Sequence, residues 1–150
     1  MRIEGKFSLK APIQKLWDSL LEPATLAACM PGAEKIEQVD EKTYDAVVKQ
    51  KVGPIKVTLK FRNVLTKLEP PTHMELEGEG EDITKLGHLK QKTVVDLKET
   101  EDGNVEVEYK ADVNIVGKLA MFGDRIMKSK AKEVEKEFTT KLRERLQRIA

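Results

Sequence analysis

Apolar and polar residues alternate strictly from the second residue. Ile3, Phe7 and Leu9 fall on one face with Gly5, and Arg2, Glu4, Lys6 and Ser8 on the other, which predicts a half-buried strand. Ala11-Pro12 breaks the alternation. Leu16, Trp17, Leu20 and Leu21 then recur at helical spacing, and Pro12 suits a first helical turn. Pro23 ends that helix and Pro31 ends a shorter one over 24–29.

From residue 33 to 116 the period is two. A short strand carries Ile36 and Val39, and the next carries Tyr44, Ala46, Val48 and Gln50 on one face. Turns at Gly53-Pro54, Pro70-Pro71 and Glu101-Asp102-Gly103-Asn104 separate further strands. Their inner faces read Ile55 to Leu65, then Met74, Leu76, Gly78 and Gly80, then Leu89 to Leu97, then Val105 to Ile115. One face is apolar and the other charged, as in an antiparallel sheet with one wet side. Short linkers predict a meander. From Gly117 the period is helical: Leu119, Phe122, Ile126, Met127, Ala131, Val134, Phe138, Leu142, Leu146 and Ile149 step by threes and fours. The charges between them suggest the pairs Asp124–Lys128, Glu137–Lys141 and Glu144–Arg148. The predicted order is β-α-α-β6-α. This is an α+β domain over 1–150, with a curved antiparallel sheet of about seven strands wrapped around a long C-terminal helix.

Composition narrows the function. The 150 residues suit one domain with a full core. Aromatics are 5%, too few for a stacking platform, so nucleic acid is not an expected partner. The single Cys29 cannot form an internal disulfide, which fits a reducing cytoplasm. No apolar run reaches the roughly 20 residues that span a bilayer. Lys and Glu abound while Asn (3) and Gln (5) are scarce, a bias of thermophile proteins. Residues 118–150 carry 10 Lys or Arg against 5 Asp or Glu; a solvated helix face is the default reading and contact with an anionic membrane the alternative.

Candidate chemistry is sparse. His73 and His88 fall outward, and neither shares a metal-ligand spacing with Cys29, so no metal site and no catalytic residue is expected. Cys29 reads as a buried structural thiol, because no histidine is placed to activate it. The inward glycines Gly78 and Gly80 mark a bend, or open space for a ligand or a helix. Gln50, Asn63, Gln91, Thr93 and Tyr109 punctuate otherwise apolar inner faces, as in small-molecule cavities; alternatively they bond one another in a filled core.

Leu26-Ala-Ala-Cys-Met-Pro-Gly-Ala-Glu34, Val52-Gly-Pro54, Pro70-Pro71, Gly78-Glu-Gly80 and Val116-Gly-Lys-Leu-Ala-Met-Phe-Gly123 resemble the carbon monoxide dehydrogenase G-subunit (CoxG) family. That family lies within the helix-grip superfamily of START domains, pollen-allergen-like proteins and polyketide cyclases. The resemblance implies a helix-grip fold and a non-catalytic accessory of a molybdenum-containing dehydrogenase. It also implies a cavity for a quinone- or lipid-like molecule and a peripheral place at the inner membrane face. The sequence ends at Ala150, directly after the helix, so the expectation leans to ligand carriage rather than anchoring. No cofactor is implied. The expected ligand-binding residues are Cys29, Met30, Pro31, Val48, Leu59, Phe61, Met74, Leu76, Gly78, Gly80, Gln91, Thr93, Tyr109, Leu119, Phe122 and Ile126, with the mouth near 29–32 and the first turns of the last helix. The rival readings are a cyclase- or hydrolase-type enzyme, with Asp82 or His88 turned into the pocket, and an assembly or membrane-recruitment factor without ligand.

Overall fold

The computed structural model describes residues 1–148. Seven strands form one antiparallel sheet: β1 (Arg2–Lys10), β2 (Ala33–Gln38), β3 (Thr43–Val52), β4 (Ile55–Glu69), β5 (His73–Asp82), β6 (Gly87–Glu99) and β7 (Asn104–Gly117). Their order is β1-β7-β6-β5-β4-β3-β2. The predicted meander is present from β2 to β7, and β1 closes the far edge by pairing with β7, Ile3 opposite Ala111. Two helices, α1 (Ile13–Leu21) and α2 (Pro23–Cys29), connect β1 to β2. They share one corner: Glu22 ends the first and precedes the second, whose first residue is Pro23. Proline fits there because a first-turn N–H needs no intrahelical partner.

Several local expectations need correction. The strand expected to include Val39 stops at Gln38, and Val39 is exposed. The last helix does not run unbroken from 117. Lys118–Phe122 forms a 3-10 turn, and α3 (Gly123–Arg148) begins after a break at Gly123 (φ 75°, ψ 170°). That backbone region is essentially open to glycine alone, so periodicity registered the apolar positions and missed the break. The three expected i,i+4 ion pairs do not close; Lys130 pairs with Glu133 instead (3.6 Å), and Arg145 reaches across to Glu22 (3.8 Å). Ile149, expected to end the apolar stripe, lies outside the described residues.

The interior is divided. Toward one end Leu9, Leu16, Trp17, Cys29, Met74, Leu97, Val105, Val107, Leu142 and Leu146 form one buried core, with α1 and α2 closing it. Toward the other end Val52, Val57, Leu59, Leu89 and Leu119 form a second. The register accounts for the division. Across the middle of the inner face run Tyr44, Asn63, Gly78, Gln91 and Val113, and beside them Leu65, Leu76, Thr93, Ala111 and Ile3. These rows contain two amides, two hydroxyls and a glycine where a closed core would need apolar groups.

Candidate functional site between the two cores

The grip on α3 is uneven. Its buried residues are Thr139, Leu142 and Leu146, all in the C-terminal half. Before Thr139 no residue of the helix is fully buried, although Met127 and Phe138 pack against the two cores. On the sheet beneath, Ala46, Val48, Phe61, Asn63, Leu76, Gln91, Thr93, Tyr109 and Val113 keep partial solvent access despite their inward register. In a filled core such side chains would be sealed at interior density. Their partial access marks the least tightly sealed, open stretch of the inner face, between the two cores.

Polar groups on this stretch are held in place. The side-chain N–H of Gln91 donates to Asn63 Oδ1 at 3.1 Å, and the Thr93 hydroxyl donates to Gln91 Oε1 at 3.3 Å. The Tyr109 hydroxyl donates to Glu135 Oε1 at 2.6 Å, a charge-assisted bond between β7 and α3. Burial first, and the Glu135 carboxylate second, push the Tyr109 phenol well above its ordinary pKa, so it stays protonated. At the rim, Gln50 donates to the Pro31 carbonyl at 2.7 Å and ties the 30–32 loop to β3.

The inward glycines have a more specific purpose than a bend or an open space. A Cβ at Gly80 would stand 2.5 Å from the Phe61 ring, and one at Gly78 would overlap Asn63 Oδ1 and lie 2.8 Å from Gln91 Nε2. Side chains of β4 and β6 lie across β5 where β5 has none. Gly5 likewise accommodates the Glu135 carboxylate and the Tyr109 hydroxyl.

The expected site residues therefore divide. Val48, Phe61, Leu76, Gln91, Thr93 and Tyr109 share the open stretch, whereas Gly78 and Gly80 are buried beneath the side chains of Asn63, Gln91 and Phe61. Met30 and Pro31 stand at its rim, and Phe122 lies over the Gly53 turn, packed against the second core. Cys29, Met74, Leu59 and Leu119 are buried in the two cores, where branched and aromatic neighbours enclose them. The Cys29 thiol, 1% exposed, is pushed up in pKa by burial, against the opposing pull of Arg145 and Lys141. Ile126 is 40% exposed and belongs to neither core. Glu135 is the residue the sequence reading missed. It lies four residues after Ala131 and seven before Leu142, on the apolar stripe itself; a carboxylate at that spacing is the signal.

Asp82 does turn inward, continuing the register of Gly78 and Gly80, and is 2% exposed. Its Oδ1 accepts from the Thr58 N–H (2.9 Å), and its Oδ2 from the N–H groups of Thr84 (2.9 Å) and Leu86 (3.2 Å) and from the Thr84 hydroxyl. Burial raises its pKa, but these bonds more than compensate and hold the carboxyl below its usual range. An ionised carboxylate held by four hydrogen bonds that shape the β5–β6 turn is suited to a structural role rather than to proton exchange. His88 faces outward and meets Glu79 at 2.8 Å.

Two open grooves of about 670 and 690 Å³ cross the outer face of the sheet. Charged side chains dominate the first and make up half of the second, where Met1, Val64 and Val113 stand among them; several are paired, Arg62 with Asp45 and Lys92 with Glu77 among them.

The family model for the G subunit of carbon monoxide dehydrogenase (CoxG) matches residues 5–147. No curated protein matches the chain. Among solved structures, a conserved protein from Geobacillus kaustophilus is 24% identical, with a TM-score of 0.90 over 99% of this chain and 96% of that one. A START superfamily protein from Mycobacterium smegmatis is 9% identical, TM-score 0.74, over 99% of each chain. The Zhui aromatase/cyclase from Streptomyces sp. R1128 is 12% identical, TM-score 0.70, over 99% of this chain and 94% of that one. At such identities these likenesses establish the fold alone.

Proposed function

The chain belongs to the CoxG family of carbon monoxide dehydrogenase, and from that premise we propose that it binds a hydrophobic small molecule, quinone- or lipid-like, between the sheet and α3. The observation that carries the reading is the part-open stretch between the two cores, where inward-facing Val48, Phe61 and Leu76 lack the burial their register would give them. Binding needs no catalytic group. Each methylene moved out of water contributes about 0.8 kcal/mol, so an acyl or isoprenoid tail supplies affinity by burial. The lining is Val48, Phe61, Leu76, Gln91, Thr93 and Tyr109, with Met30, Pro31 and Phe122 at the rim. Cys29, Leu59, Met74 and Leu119 support this lining from behind.

The family supports an accessory role beside a molybdenum-containing dehydrogenase, tested by co-purification from the source cell. A peripheral membrane contact has its own support at the end where the Gly53 turn meets Lys118–Phe122. Met121 is 83% exposed there, and Lys118, Arg125 and Lys128 form no ion pair among the described residues. Apolar groups beside unpaired cations suit an anionic lipid surface. No helix among the described residues is long and apolar enough to cross a membrane.

Ala131→Trp tests the central claim by filling the stretch from the helix side. Native mass spectrometry of protein expressed in quinone-rich cells should show a bound lipophile on the parent chain and its loss, tenfold or more, in the variant. Equal occupancy in both would sink the reading.

A further inference from the structure

The amide pair at the middle of the inner face has a geometry that apolar packing does not require. Asn63 on β4 and Gln91 on β6 reach each other over β5 only because residue 78 is glycine; a Cβ there would collide with both. Their mutual bond uses one N–H of Gln91 and the Asn63 carbonyl, and Thr93 occupies the Gln91 carbonyl. Both N–H groups of Asn63 Nδ2 and the second N–H of Gln91 have no partner within the described residues. They belong to part-exposed side chains on the open stretch. Donors without partners in a mostly apolar enclosure favour an acceptor.

We propose that Asn63 and Gln91 recognise the head of the ligand, and that this head is an uncharged group bearing an acceptor oxygen, such as a ketone, quinoid or ester carbonyl. This rests on the binding reading above and deepens it. The charge requirement comes from the far side of the stretch. There Glu135 engages Tyr109 through one oxygen and has no other hydrogen bond or ion pair among the described residues. A carboxylate head placed in the same enclosure would face that charge at reduced dielectric, which an uncharged carbonyl avoids. Leu76 and Ile3, the part-exposed apolar residues of the row next to the amides, would take the first carbons of the tail.

The test uses three probes of similar length: 2-tridecanone, n-tridecane and dodecanoate. Binding is followed by two-dimensional NMR of the ¹⁵N-labelled protein. In the parent chain, 2-tridecanone should bind about five- to tenfold tighter than tridecane and shift the side-chain NH₂ signals of Asn63 and Gln91. Asn63→Leu and Gln91→Met should each remove that advantage, bringing the ratio of ketone to tridecane affinity to about one. The NH₂ shifts are read on the unaltered protein, so a variant that fails to fold does not remove the test. Absence of those shifts on ketone binding, dodecanoate binding as tight as the ketone, or equal loss of ketone and tridecane affinity in the variants would each overturn the proposal alone. If neither 2-tridecanone nor tridecane binds, the cavity reading fails and this proposal falls with it.

Discussion

His73 holds a carboxylate on each ring nitrogen, Asp96 Oδ1 at 2.6 Å from Nδ1 and Glu75 Oε2 at 2.7 Å from Nε2. Both nitrogens can donate only in the imidazolium form. Bonding to Glu75 and then to Asp96 raises the histidine pKa. Because the folded value lies above the unfolded one, near 6.5, the stabilisation is fully present below about pH 6.5 and is lost as pH rises through the folded value. The urea midpoint of the parent chain should therefore fall across that window, and that of His73→Gln should fall less. Parallel pH profiles would contradict the clamp. Asp82 has the opposite sign. Its depressed pKa contributes stability above roughly pH 4 that is lost as pH falls through the folded value. Residue chemistry of this kind was only partly legible in the sequence. Outward histidines follow from alternation, whereas the partners of His73 depend on the β5–β6 register, which sets it opposite Asp96. The role of Asp82 was not legible, because nothing in composition says that a strand continues to its last position and then caps its own turn.

At the level of elements, α3 is anchored by its second half. Leu142 is completely buried in the first core, while Ile126 near the start is largely exposed. Leu142→Ala should cost about 2–5 kcal/mol, the usual range for a buried leucine that leaves a cavity. Ile126→Ala should stay within about 0.5 kcal/mol, as for other exposed positions. Chemical denaturation of both variants checks the contrast; comparable losses would mean that the helix is held along its whole length. The strands and the order of elements were legible because period two and period 3.6 are set by side-chain direction. The break at Gly123 was not, since the apolar positions on either side of it keep a helical spacing. Nor was the crossing of β5 by Phe61, Asn63 and Gln91, because a glycine in a strand records a missing side chain and not which neighbour takes its place.

The molecule as a whole joins three features at one end: the Gly53 turn, the Lys118–Phe122 turn and the unanchored start of α3. If this end meets a membrane, binding should depend on anionic lipid. Sedimentation with vesicles containing phosphatidylglycerol should carry down the parent chain, with retention falling as salt rises. Pure phosphatidylcholine vesicles should retain little. A Lys118→Glu/Arg125→Glu variant should lose most of the anionic-lipid effect, and unchanged sedimentation would remove this end as the contact. The division of the interior into two cores also bears on descent. Because neither core relies on the middle rows for closure, substitutions at Asn63, Leu76, Gln91 or Thr93 and substitutions at Leu142 or Leu59 should be nearly independent in their effects on stability. A lineage can then rewrite the middle while the ends preserve the architecture. Change in the middle and selection for folding then act on separate sets of positions, in keeping with a fold shared with an aromatase/cyclase and a START protein at only 12% and 9% identity to the chain.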